Sequence, residues 1–159
     1  MRGSNVGTER SSLMNVGRRV DYAVRALTYL AGQPPGKLIS RAEITKKQDI
    51  PSNYLSKIMK DLAACGLVQS HVGRDGGFSL TRPAHTVSIK EVYEAVERPL
   101  VLIECLAKGE EYCPYCFVCT QISVWGKAQT LLTNYLAGVS VGDIVDQQGL
   151  RERLISLRG

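Results

Sequence analysis

No apolar run in this chain approaches the length needed to span a membrane. No apolar segment near the N-terminus resembles the core of a signal peptide. Met1 to Asn15 is instead polar and Gly/Ser-containing, and reads as a disordered lead-in. Internal repeats and low-complexity tracts are absent, as is the alternation of strand and helix patterns that marks an α/β enzyme. These absences lead to the expectation of a cytoplasmic protein without membrane contact. In a reducing compartment, clustered cysteines serve metal binding or catalysis more often than structural disulfides. What is present is a core-forming hydrophobic fraction of 44% and a net charge of +5, from 20 Lys+Arg against 15 Asp+Glu. Such an excess suits an anionic partner where it is concentrated.

Four of the five cysteines fall between Cys105 and Cys119. Thiolates this close together suit a soft metal or a redox couple. Polar Lys108, Gly109, Glu110 and Glu111 follow the first of them, so the segment reads as a loop. Three chemistries fit these residues. An iron–sulfur cluster takes thiolate ligands. Zinc is held by Cys-x2-Cys pairs, and four cysteines would close a tetrahedral site. Cys113-Pro-Tyr-Cys116 is also the glutaredoxin tetrapeptide, but that thiol–disulfide chemistry calls for a strand–loop–helix setting not found here.

The chain upstream predicts a compact series of helices. From Arg18 to Gly32, Val20, Val24, Leu27 and Ala31 recur at helical spacing, widened by Tyr22, Ala23, Ala26 and Leu30. Ser40 and Glu43 form a capping box for a helix ending near Gln48. Asp49-Ile50-Pro51 breaks it. Ser52 is placed to cap a further helix, with Leu55, Ile58, Met59 and Leu62 facing a core and Gly66 as its stop. Cys65, at the end of that apolar side, is expected to be an inert core residue. Two short helices joined by a tight turn make a helix-turn-helix. Leu67 to Val72 and Phe78 to Thr81 then read as a hairpin around Gly73 to Gly77, where glycine permits positive φ.

The fold expected is therefore mainly α with a small β-hairpin wing. From Lys37 to Arg82 there are eight basic residues against four acidic, so most of the positive excess lies there. Ser52, Asn53, Ser56 and Lys57 lie opposite the core positions and are candidates for base edges or nearby phosphates. Arg41, Tyr54 and Lys60 join them, and Arg74 would enter the minor groove from the wing. The plain alternative is that Lys57 and Lys60 are solvated surface charges.

Ser88 and Glu91 form a second capping box, for a helix with Ile89, Val92, Ala95 and Val96 inward. Pro99 to Ile103 is an apolar extended run. Beyond the cysteines, Val118, Ile122, Trp125, Ala128, Leu132 and Tyr135 recur at three and four residues, close to a coiled-coil seam. A homodimer reading a palindromic duplex is the expectation from that pattern, the alternative being a seam that packs only within the subunit. Val139 to Gly159 reads as a short helical turn and a charged terminal helix. The organisation expected is a lead-in at 1–15, a winged helix-turn-helix at 16–97, a cysteine-rich segment at 98–119, and a dimerisation helix with C-terminal helices at 120–159.

Over Val16 to Val145 the chain resembles the winged-helix regulators that include IscR, NsrR and RirA, the Rrf-two superfamily. The resemblance rests on Val20 to Leu27, on Ile50-Pro51-Ser52-Asn53-Tyr54-Leu55, on Gly66-Leu67-Val68 and Gly76-Gly77-Phe78, on the cysteine segment, and on Trp125. It implies a non-enzymatic transcriptional regulator, with repression the expected action. It implies an iron–sulfur cluster, 4Fe–4S rather than 2Fe–2S, on Cys105, Cys113 and Cys119. Cys116 departs from that three-cysteine pattern and is an alternative ligand. Asp21 matches an aspartate that supplies the fourth ligand from the partner subunit in the nitric-oxide-sensing branch; the plain alternative is a first-turn acid that suits the helix dipole or pairs with a nearby arginine. No histidine lies near Cys119, which disfavours the histidine-ligated two-iron arrangement. Zinc remains the alternative metal.

Overall fold

The computed structural model of the chain describes residues 16–97 and 99–156, so the lead-in expected at 1–15 lies outside it. Helix α1 spans Arg18–Ala31 and buries Val20, Ala23, Ala26, Leu27 and Leu30. Val24 and Ala31, expected in the same stripe, only edge this core. Helix α2 spans Arg41–Gln48, and the Ser40 hydroxyl accepts the Glu43 N–H at 3.2 Å. The reciprocal half of the expected capping box is missing. The Glu43 carboxylate accepts the Tyr29 hydroxyl at 2.8 Å instead, tying α2 to α1.

Helix α3 spans Ser52–Ala64. Its N-cap is Pro51, not Ser52, because the proline's φ of −57° already sets the chain for helix entry. Ser52 falls inside the first turn and faces solvent. Leu55, Ile58, Met59 and Leu62 are buried as expected. The helix ends in a Schellman motif: Gly66, at φ +70°, donates to the Ala63 carbonyl, and Leu67 donates to that of Leu62. This ending corrects the expectation for Cys65. The residue has left the helix as its C-cap, and its side chain is exposed.

The wing is a two-stranded antiparallel hairpin of β1 (Val68–His71) and β2 (Gly77–Leu80), with Val68 opposite Leu80 and His71 opposite Gly77. Ile39 pairs with Phe78 along the other edge of β2. Of the three wing glycines only Gly73 takes positive φ. Gly77 is required for space: a Cβ there would come within 2.6 Å of the Ile39 carbonyl oxygen.

Helix α4 spans Ile89–Val96 and carries a complete capping box between Ser88 and Glu91. The C-terminal segment forms one helix, α7, over Val141–Ser156, rather than a turn and a separate helix. A second reciprocal cap, Ser140 with Asp143, opens it. The two capped starts are stitched together. Ile89 donates to the Val139 carbonyl and Val141 to that of Val87, each at 2.8 Å. Val87 and Val141 thereby both enter the core, and α7 packs along α1.

The caps have a pH consequence. Hydrogen bonding from the Ser88 backbone, then from Arg82, holds the Glu91 carboxyl below its ordinary 4.5. A lowered folded value contributes stability that is complete above the unfolded value and lost as pH falls through the folded one. Glu91→Gln should therefore flatten the acid limb of stability against pH. Urea midpoints from neutral pH to about pH 3 measure this. An acid limb as steep as wild type would remove Glu91 as its source.

Candidate DNA-binding surface and cysteine segment

The outward side of α3 presents Ser52, Asn53, Lys57 and Lys60 to solvent, with Tyr54 partly exposed and Ser56 half-buried. Among the described residues, Lys57, Lys60 and Arg74 are in no ion pair. Their charge is left for an external anion. Arg41 donates to the Ser56 hydroxyl at 3.1 Å, and Ser56 donates to the Ser52 carbonyl at 2.8 Å. The start of α2 is thus latched to the first turn of α3. Arg19, Tyr54, Lys57, Lys60 and Asp61 border an open cleft of about 390 Å³, where Arg19 pairs with Asp61. Arg74 stands exposed in the turn of the wing.

Tyr54 is held from behind. Its ring meets Tyr22 edge-on at 6.0 Å. The Arg25 guanidinium lies 5.6 Å from the Tyr22 ring centre and donates to the Gln48 carbonyl at the end of α2. Arg25 also faces the Asp21 carboxylate at 3.4 Å. One arginine therefore touches α1, the end of α2 and, through Tyr22, the first turn of α3. Sequence reading missed this role, since an i, i+4 acid–base pair looks like any solvated helix pair.

The cysteine segment is more ordered than a loop. Cys105 rides on α5, a short helix over Glu104–Lys108, followed by a 3₁₀ turn at Gly109–Glu111. Cys113 donates its N–H to Gly109, Cys116 to Cys113, and Ile122 to Cys119. All four cysteines are free thiols; Cys116 is buried and the others are half-buried. Helix α6 follows over Ile122–Gly138. Gln129 on α6 accepts the Leu102 N–H at 2.8 Å and donates to the Leu100 carbonyl at 2.6 Å, clamping the segment that leads to Cys105. Among Lys127, Thr130, Thr133 and Asn134 on the same helix, Gln129 gave no distinct sequence signal for that clamp.

Among the described residues, no three His, Cys, Asp or Glu side chains are gathered to hold a metal. Asp21 lies on α1 with its side chain 56% exposed. The thiols suit a soft metal by chemistry and by being uncommitted, but one chain does not bring them together. Of the expected seam, Ile122, Ala128 and Leu132 are half-buried within the chain, whereas Val118, Trp125 and Tyr135 are exposed. Val124 and Leu131 on α6 are exposed as well, and Leu131 and Tyr135 are 72% and 69% exposed.

Residues 16–147 match the profile of Rrf2, described as an iron-dependent transcriptional regulator. The chain belongs to the Rrf2 family. A Mycobacterium tuberculosis protein named as an HTH-type transcriptional regulator is 30% identical over 132 residues, covering 82% of this chain and 81% of its own. The cysteine regulator CymR of B. subtilis superposes with a TM-score of 0.70 at 18% identity, over 85% of this chain and 98% of its own. IscR of T. potens does so with a TM-score of 0.65 at 22% identity, over 85% and 88%. These structures share the mainly helical fold with its two-stranded wing. As an Rrf2 protein, the chain is a DNA-binding transcriptional regulator, and its relatives carry the names of regulators rather than enzymes. No helix among the described residues is long and apolar enough to cross a membrane.

Proposed function

We propose that this Rrf2 protein is a homodimeric repressor whose affinity for a palindromic operator is set by an iron–sulfur cluster on Cys105, Cys113 and Cys119. Asp21 of the other subunit completes the ligand set. The observation that carries this reading is four free thiols on one segment directly before the uncovered face of α6. Iron–sulfur rather than zinc is favoured because the family profile is iron-dependent. The cysteine regulator has the same fold at low identity, so the fold alone does not choose the signal.

When bound, the cluster would supply a centre that iron supply, oxidants or nitric oxide can alter. The chain's own residues would convert that change into altered DNA affinity. Gln129 couples residues 100–102, and hence α5, to α6. Asp21 shares Arg25 with the end of α2. A carboxylate drawn away from Arg25 leaves that guanidinium to Tyr22 and Gln48, the contacts that back Tyr54. Spacing of the two α3 helices on a duplex of fixed half-site separation is the readout.

Anaerobic purification with iron and sulfide counting tests the reading. A brown protein with visible charge-transfer absorption is expected, and its DNA affinity should change when the colour is lost. A colourless protein holding zinc would overturn it. The dimer has its own check. An aspartate at Leu131 or Tyr135 puts a charge into the proposed seam, which should yield folded monomers in sedimentation and abolish binding to a two-half-site operator. Dimers of undiminished affinity would place the interface elsewhere.

A further inference from the structure

Cys116 is outside the proposed ligand set, yet it is the most buried cysteine, at 6% exposure. Its N–H donates to the Cys113 carbonyl at 3.1 Å. That bond closes a four-residue turn with Pro114 in second place, where the fixed φ of proline suits a turn. The ends of such a turn lie within about 7 Å of one another. A disulfide spans Cα separations of about 4.4–6.8 Å. Both thiols are free, and Cys113 is the more open of the two. An accessible sulfur followed by a shielded one is the arrangement thiol–disulfide exchange uses, the outer sulfur meeting the reagent and the inner one resolving it.

We propose that Cys113 and Cys116 form a thiol–disulfide pair that, on the ligand set inferred above, withdraws Cys113 from cluster binding. The co-reactant is a small-molecule disulfide. The Cys113 thiolate attacks one of its sulfurs, forming a mixed disulfide and releasing one small thiolate. The Cys116 thiolate then attacks the Cys113 sulfur, and the second small thiolate leaves. The protein dithiol loses two electrons and two protons, and the small disulfide becomes two thiols. No oxidoreductase fold is needed, because the pair acts on itself. Cys105 sits on α5 and Cys119 beyond a further turn, so neither shares this closed turn with Cys113. Cys65 is exposed and would form adducts of its own, which calls for its removal in the test.

Metal-free full-length protein carrying Cys65→Ser is treated with glutathione disulfide, with circular dichroism as the fold control. The expected product has lost two free thiols and the mass of two hydrogens, carries no glutathione, and maps to a Cys113–Cys116 link. Added Cys116→Ser should instead hold glutathione on Cys113. The bridged protein should take up iron and sulfide only after reduction by excess thiol. A link from Cys113 to Cys105 or Cys119, a lasting adduct while Cys116 is present, or unchanged thiols would overturn the pair. A correctly bridged protein that takes up no iron once reduced would keep the exchange pair and overturn the ligand set.

Discussion

Alanine at Cys105, Cys113 or Cys119 is expected to leave a folded protein that stays colourless after reconstitution with iron and sulfide. Each would remove a soft donor from the proposed three-thiolate set, and a cluster cannot replace it with a hard one at similar affinity. Cys65→Ala should keep full iron content, since its side chain lies on the winged domain at the end of α3. Cys116→Ala is the discriminating case. It should also keep the cluster, at some cost in packing because its side chain is buried. An iron-free Cys116→Ala protein would mean an all-thiolate site and would release Asp21 from it. Asp21→Ala should keep the fold and the proposed dimer, since the side chain is exposed and its ion-pair partner among the described residues is Arg25 at 3.4 Å. Its cluster should decay faster, and Asp21→Cys should give a more inert one. Decay rates equal to wild type in both would leave Asp21 as an ordinary surface acid.

The largest effects on DNA binding are expected from α3 and the wing. Asn53→Ala should cost about 1–3 kcal/mol and relax discrimination at one base position. Lys57→Ala and Lys60→Ala should weaken all sequences evenly and each reduce the salt slope by about 1. Arg74→Ala should lower affinity most where the minor groove is narrow. Arg41→Ala should act indirectly, by freeing Ser56 and the first turn of α3. Titrations of a cognate and a scrambled duplex at several salt concentrations separate these effects. Wild-type affinity and salt slope for both Asn53→Ala and Arg74→Ala would move the DNA surface elsewhere.

Most of the winged helix was legible because its signals are local. Apolar spacing in α1 and α3, the Ser88–Glu91 cap, Gly66 after α3 and the glycines of the wing each act within a few residues. The cysteine cluster was equally plain, since ligand chemistry shows in residue type and spacing. What could not be read is where each element's neighbours run. Cys65 follows the apolar side of α3 in sequence, but the left-handed turn at Gly66 redirects the chain and leaves the thiol in water. Glu43 has the spacing of a capping-box acid, yet the Tyr29 hydroxyl, fourteen residues away, claims it.

The sequence by itself determined the winged helix-turn-helix, the placement of positive charge on it, and the presence of a thiol-rich site ahead of a long helix. Only the tertiary structure decided that α7 returns to α1 through the paired caps at Ser88 and Ser140. It alone joined Asp21 to the end of α2 through Arg25, and left Val124 and Leu131 of α6 exposed while half-burying Ile122, Ala128 and Leu132. The physical reason is range. Capping and helical periodicity are settled by residues within one or two turns, whereas burial and side-chain partnership depend on which distant segment arrives to cover the surface.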